Sequence, residues 1–420
     1  MKQALAMLLA GGRGKRMDIL CKARPKPALP FAGIFRVIDF SLSNCIHSKI
    51  QNIAILTDYQ RLQMAKYLRS WHLNNPGYSG VHVLEPAAGS YKGTADAVYQ
   101  NLDYLKEASA NVVLVLAGDH VYKMDYRQML AFHEQVKADV TVGVIPVPMN
   151  EAHRFGIVTI DNEGKVIDFV EKPKVPHSDL VSMGIYIFDK KILCERLIED
   201  ANKPGSPHDF GYAIIPEMVR RDRVFAYKFY DYWRDIGTVA AFYEANMEIM
   251  DQQRHFSLGE SWPILTGVRM LHLPEELVTG TVVNSIIHPG CVVRGRVENS
   301  ILSPGVCIDC EAVVRNSVLM SDVSVGYHSI VDLCILDERV NIGDFSYIGF
   351  GSSVLPGSKE ITVLGKGAIV PPYTAISHGC SVLPHVRPTD FSASVVPSGS
   401  VVPRRPVNGD TSILRNVEAK

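Results

Sequence analysis

Three groups of residues in this 420-residue chain have the types and spacing to handle phosphate and metal chemistry. The first is Gly11-Gly12-Arg13-Gly14-Lys15-Arg16, directly after the apolar run Leu5 to Leu9. Glycines leave backbone N–H groups free to cradle phosphate oxygens, and Arg13, Lys15 and Arg16 add the positive charge that a triphosphate requires. No Gly-Lys-Ser/Thr follows at the spacing of a Walker loop, and Met17 stands where a dinucleotide fingerprint has its third glycine. A tight structural turn is the competing reading of this loop. A short way beyond it, Arg24-Pro25-Lys26-Pro27-Ala28 places another cation, Lys26, on a stiff proline-flanked segment.

The second group is a pair of carboxylates. Asp119 follows the apolar run Val112 to Leu116 in Ala117-Gly118-Asp119-His120, at the carboxyl end of a strand, where open α/β sheets bind ligands. Asp235 lies far along the chain in Tyr232-Trp233-Arg234-Asp235-Ile236-Gly237-Thr238. Two hard carboxylate oxygens suit Mg²⁺ when phosphates supply its remaining ligands. Either aspartate alone could equally cap a turn or a helix. The third group is Asp168-Phe169-Val170-Glu171-Lys172-Pro173, in which Lys172 can neutralise a phosphate and Glu171 can accept hydrogen bonds from hydroxyls. A Glu-Lys pair on a hairpin is often no more than a solvated pair. His120 reads as a polar wall residue, because an attacking phosphate is already anionic and needs no base.

The elements that must position these residues change rhythm partway along the chain. Up to about residue 251, short apolar runs alternate with helical patterns, the signature of an α/β sheet wrapped by helices. Strands are expected over Leu5 to Leu9, Ile53 to Thr57, Val112 to Leu116, Val140 to Val144, Gly184 to Phe188 and Val224 to Phe229. One helix is expected over Thr94 to Leu105 with Thr94 as its N-cap, and a hairpin over Ile157 to Val170. After about residue 276, Asn284-Ser285-Ile286, Asn299-Ser300-Ile301, Asn316-Ser317-Val318 and Leu333-Cys334-Ile335 recur at intervals close to one coil of three six-residue faces. That rhythm resembles the left-handed parallel β-helix of hexapeptide-repeat proteins; a β-sandwich is the alternative. The chain is therefore divided into a domain over 1–251, a connector over 252–275, a β-helix over 276–405 and a tail over 406–420.

Bulk composition narrows the function classes. With 47% hydrophobic and 21% charged residues and a formal net charge of -1, the chain reads as a soluble globular protein with no basic excess for nucleic acid. The apolar run Ala4 to Ala10 is far shorter than a membrane span and lacks a signal-peptide layout, so a cytoplasmic location without membrane contact is expected. The 8 cysteines are scattered, which suggests reduced thiols. Cys307-x-x-Cys310 has no second ligand pair and reads as two positions of the repeat.

Leu9-Ala10-Gly11-Gly12-Arg13-Gly14 with Lys26-Pro27-Ala28 resembles the signature loop of the sugar-phosphate nucleotidyltransferases. The resemblance implies a Rossmann-like nucleotidyltransferase domain followed by a left-handed β-helix. It also implies an ATP or other nucleoside triphosphate site on the loop, with Arg16 and Lys26 polarising the phosphates and Asp119 and Asp235 holding Mg²⁺. Glu171 and Lys172 match the sugar-phosphate motif. Ser182-Met183-Gly184-Ile185-Tyr186 and Asp209-Phe210-Gly211 match the sugar pocket, with Gly156 letting the sugar approach the backbone. Tyr91-Lys92-Gly93-Thr94-Ala95-Asp96, Phe35-Arg36-Val37-Ile38-Asp39 and Tyr232-Trp233-Arg234-Asp235 are similar to the adenylyltransferase branch. For that branch Gly93 and Thr94 fall to the nucleotide, and Tyr91 and Trp233 to the sugar phosphate.

The expected reaction is transfer of AMP from ATP to glucose 1-phosphate, for glucan synthesis, by a homo-oligomer that is tetrameric by resemblance. A relative using UTP, dTTP or GTP, a non-catalytic regulatory subunit, and acyl transfer by the β-helix remain the alternatives. Three departures from the family pattern stand out: the short segment Leu84 to Ser90, Tyr212 where lysine is usual, and a repeat-like stretch after Ser353 in place of the usual regulatory tail.

Overall fold

The computed structural model describes residues 4–78, 80–87, 89–250, 262–268, 274–351 and 360–405. The N-terminal half is built on one nine-stranded sheet. Its strands are β1 (Ala4–Leu9), β2 (Asn52–Leu56), β3 (Val81–Leu84), β4 (Val112–Ala117), β5 (Val140–Pro146), β6 (Gly156–Ile160), β7 (Val166–Glu171), β8 (Leu180–Asp189) and β9 (Val224–Lys228). The path runs β7-β6-β8-β4-β1-β2-β3, with β5 on β8 and β9 on β5. Pairing is parallel from β3 through β4 and antiparallel where β8 meets β4 and β5.

The central strands are apolar on both faces because helices cover both sides. Leu5, Met7, Ala54, Leu56, Val113 and Val115 join one core layer. Their immediate neighbours Ala6, Leu8, Ile53, Ile55, Leu114 and Leu116 join the other.

The helix expected over Thr94 to Leu105 is two helices, Thr94–Tyr99 and Leu102–Glu107. Asn101 breaks it. The Asn101 amide donates to Ala97 O and to the Tyr91 hydroxyl, and its backbone leaves helical geometry. Short polar side chains compete with the helix for backbone partners in this way. Nor is Thr94 the cap: Gly93 holds that position, and the Thr94 hydroxyl accepts from Phe210 N and donates to Asp209 Oδ2.

From Leu277–Val278 onward the chain winds through three parallel sheets of six, seven and seven strands, a left-handed parallel β-helix. The repeated Asn284, Asn299 and Asn316, with Leu333, sit at left-handed corners of φ 43, 44, 49 and 53°. Asparagine tolerates that region better than other side chains. A serine ladder runs beside the corners: the Ser300 hydroxyl accepts from Ser317 N, and the Ser317 hydroxyl accepts from Cys334 N. Cys291, Val293, Val314, Val331 and Ile348 fill the interior.

The two halves share a hydrophobic cluster. Met17, Ile19, Leu20, Phe31 and Phe242 of the first pack with Val318, Met320, Ile335 and Val363 of the second. Within the connector, Trp262 Nε1 donates to Asn44 Oδ1 and Leu265 N to Ser43 Oγ, which lays residues 262–268 along the first half. Residues 252–261 and 269–273 of the connector and the tail 406–420 lie outside the described residues. Among the described residues no helix is long and apolar enough to cross a membrane.

Candidate active site

The glycine loop leaves the carboxyl end of β1 and turns at Gly14, whose φ of 60° lies in the left-handed region that a Cβ disfavours. A 3-10 turn over Lys15–Cys21 follows, and a second over Lys26–Ala28 carries Lys26 into the cleft. Asp119 stands just beyond β4, beside β1, so loop and carboxylate share one end of the sheet.

The second carboxylate arrives on a short antiparallel ribbon. His120–Tyr122 pairs with Trp233–Asp235, and Asp235 lies opposite His120. Lys26 Nζ donates to Asp119 Oδ2 at 2.7 Å and to Asp235 Oδ1 at 3.3 Å. His120 Nε2 lies 3.5 Å from Asp119 Oδ1 and 3.7 Å from Asp235 Oδ1. Burial alone would raise the Asp119 carboxyl, but Lys26 and His120 outweigh it and hold its pKa at about 2. Burial likewise works against the Lys26 ammonium, and the two aspartates more than reverse it, so its pKa lies above the ordinary lysine value. Asp119 is therefore an anion and Lys26 a cation throughout the physiological range.

Two cavities meet at this cluster. One, of about 500 Å³, is lined by Leu9, Gly11, Gly12, Gly14, Lys15, Arg16, Lys26, Tyr91, Gly93, Thr94 and Asp119 among others. The other, of about 260 Å³, is lined by Gly156, Glu171, Lys172, Ser182, Gly184, Tyr186, Asp209, Phe210, Trp233 and Asp235 among others. Leu9, Arg16, Lys26, Thr94, Asp119 and Asp209 face both.

Most residues singled out from sequence thus lie around one cleft; Ala10 and Arg13 do not, and Tyr91 is on the other wall from the one expected. Tyr91 stands on the loop-side wall and not among the residues near Lys172. Ala10 is buried with its N–H on Leu56 O, and Arg13 points to solvent outside both walls.

In the smaller cavity Lys172 Nζ donates to Glu171 Oε1 at 2.5 Å and lies over the Tyr212 ring. Ser182 Oγ donates to Tyr186 OH, and Tyr186 stacks on Phe210 at 5.9 Å between ring centroids. Asp209 Oδ1 accepts from Gly211 N and Tyr212 N, which fixes the turn after it.

Sequence reading passed over several lining residues. Arg154 is one: its Nη2 stands 4.0 Å from Asp235 Oδ2, and its guanidinium covers the Phe155 ring. Asp58, whose Oδ2 accepts from Tyr91 N, is another, while Gly211 of the sugar-pocket motif packs against Glu171. The place of Arg154 directly before Phe155-Gly156 was the available signal.

The donor set fits a divalent metal. Two hard carboxylates face one another with an ammonium between them, so the point between them already stabilises positive charge. Among the described residues no group of three or more His, Cys, Asp or Glu could hold a metal ion. Mg²⁺ binding through two carboxylates leaves its other positions to phosphates and water, as this ion prefers.

A phosphate loop and a pair of carboxylates facing a second cavity with its own lysine suit the passing of a nucleotidyl group to a phosphorylated acceptor. Comparison with known proteins agrees: residues 5–252 match the family model described as nucleotidyl transferase, and residues 270–382 that described as GlmU-like, C-terminal hexapeptide. The chain is 42% identical to a glucose-1-phosphate adenylyltransferase of Thermomicrobium roseum, over 96% of this chain and 98% of that one. It is 40% identical to the protein of that name from Acetivibrio thermocellus, over 96% and 98%. It belongs to the nucleotidyl transferase family and, within it, to the group named glucose-1-phosphate adenylyltransferase.

Proposed function

We propose that this chain transfers AMP from ATP to glucose 1-phosphate, releasing pyrophosphate and leaving ADP-glucose, for glucan synthesis. The observation that carries the reading is Lys26 bridging Asp119 and Asp235 where the two cavities meet. The larger cavity takes ATP, with its triphosphate along Gly11 to Arg16; the smaller takes the sugar phosphate beside Lys172.

A phosphate oxygen of glucose 1-phosphate attacks the α-phosphorus. The bond from that phosphorus to the bridging oxygen breaks, and pyrophosphate carries away the electron pair. No proton has to move and no covalent enzyme intermediate forms. Mg²⁺ on Asp119 and Asp235 supplies charge neutralisation and orientation of the two phosphates when bound. Arg16 and Lys26 steady the triphosphate, Lys172 fixes the sugar phosphate, and Glu171 accepts from sugar hydroxyls. Holding both substrates in line is the main source of rate here. The same proposal places the protein in the cytoplasm as a homo-oligomer.

Pyrophosphate release measured with glucose 1-phosphate and each of ATP, UTP, dTTP and GTP tests the reading. ATP should give the highest kcat/KM by at least about tenfold. Equal or faster release with another triphosphate, or none with any, would overturn it.

A further inference from the structure

Arg24 precedes Lys26 by two residues, yet its side chain runs away from the cleft into the β-helix. Arg24 Nη2 donates to Asp337 Oδ1 at 2.9 Å and to Glu338 Oε2 at 3.1 Å. Glu338 also accepts from Arg36 Nη2 at 2.8 Å and from Lys366 Nζ at 2.6 Å. The side chains of Arg24 and Asp337 are only 5% and 1% exposed. Burial would raise the Glu338 carboxyl, but Arg36, Arg24 and Lys366 outweigh it and hold it far below the usual carboxylate range. The cluster thus ties the segment carrying Lys26 to two adjacent residues of a β-helix corner.

The link between the two side chains is stiff. Pro25 and Pro27 flank Lys26 and fix φ on both sides, with Pro25 at -71°. Leu29 N donates to Lys26 O and Ala28 N to Pro25 O, each at 3.0 Å, which closes the turn. With few free backbone torsions between residues 24 and 26, a displacement of Arg24 is carried into the turn that bears Lys26.

We infer that Asp337 and Glu338 of the β-helix are positioning residues for Lys26: by holding Arg24 they set the turn that puts the ammonium between Asp119 and Asp235. The inference rests on the proposed role of Lys26 and extends the catalytic machinery into the second half of the chain. Catalysis by orientation is sensitive to misplacement on the scale of one ångström. A contact outside the cleft therefore governs turnover through the lysine it places. Glu338→Gln keeps the shape and removes the charge.

A double-mutant cycle in the full chain separates this from general support of the fold. Glu338→Gln should lower kcat about tenfold or more while the KM for glucose 1-phosphate stays within about threefold. In a Lys26→Ala background the same change should alter kcat less than about twofold, since no lysine remains to be misplaced. Arg24→Lys, which keeps the charge but loses the fork, should repeat the pattern with a smaller loss and provides the reading if Glu338→Gln does not fold. The inference is overturned if the loss is the same in both backgrounds, or if both variants keep kcat within about twofold of the parent. Should Lys26→Ala alone keep near-parent turnover, the catalytic role of Lys26 falls first; a severe Lys26→Ala loss beside a neutral Glu338→Gln removes only the clamp.

Discussion

The clusters around Lys26 and Arg24 are made from the same kinds of groups and lie two residues apart in the chain, but their charges balance differently. At the interface three cations, Arg24, Arg36 and Lys366, close over Asp337 and Glu338. In the cleft a single lysine bridges two aspartates, about a third of the Asp119 side chain is open, and Arg154 stands back at 4.0 Å. The interface cluster is complete as folded. The cleft cluster, with His120 at 3.5 and 3.7 Å from the two aspartates, keeps an excess of carboxylate oxygen that an incoming cation would relieve. Buried ion pairs are weak evidence of stability in general, because desolvation offsets their attraction. What separates structure from function here is which cluster remains short of positive charge.

The sharpest way to break that comparison is Asp119→Asn. Removing one carboxylate charge should leave the fold intact and lower turnover at least ~10²-fold, the usual scale for losing one electrostatic stabiliser. Near-parent turnover would mean that the carboxylate excess has no catalytic purpose. Lys172→Gln tests whether the smaller cavity has a cation of its own. The KM for glucose 1-phosphate should rise on the order of 10-fold or more while that for ATP stays within a few-fold; a joint rise would move Lys172 to the triphosphate side.

Gly211→Ala probes the partner of that lysine. A methyl at Gly211 would lie 2.5 Å from Glu171 Oε2 and must displace it. A KM for glucose 1-phosphate raised by roughly 3- to 10-fold, with thermal stability little changed, is the expected outcome. An unaltered KM would show that Glu171 does not meet the sugar.

The smallest effect concerns another buried carboxylate, Asp39, which accepts from the Tyr67 hydroxyl and from Arg36 N. Burial pushes its pKa up to about 7, since these hydrogen bonds compensate only in part. Because the folded state then holds a proton that the unfolded state has released, this group's contribution to stability falls as pH rises from about 4 to about 7. Asp39→Asn removes the titration. Relative to the parent, the variant should gain in stability as pH rises from 5 to 7, on the order of 1 kcal/mol per pH unit, and the gain should level off above about pH 7, read as the difference in Tm across that range. A constant difference would show that Asp39 is ionised throughout. His288 and His385, whose pKa values are lowered by burial, act in the opposite sense and cancel in this difference.

Much of the fold was legible because its signals are local. Two-sided apolar runs mark β1 and β4, and the Asn-Ser-apolar corners mark the coils of the β-helix. The glycine loop, Asp119 and Lys172 carried local chemistry as well. Thr94 misled because an N-cap pattern and a tertiary hydrogen bond to Asp209 place the same residue type at the same point. The ribbon of His120–Tyr122 with Trp233–Asp235 has three residues a side, too few for any periodicity to register. Arg154, Asp58 and the Arg24 clamp depend on segments that meet only in space, and one sequence does not record such meetings.

That short ribbon also dates the cleft within the life of the chain. A polypeptide leaving the ribosome carries Lys26 and Asp119 well before Asp235, and the β1–β4 pairing can form without it. Until Asp235 has been made, Asp119 is the one of its two carboxylate partners that Lys26 can meet, and the corner at Asp337 and Glu338 comes later still in the chain. Fragments that stop short of Asp235 therefore lack one of the two carboxylates that Lys26 bridges, and the cleft cannot close until the chain has grown past its midpoint.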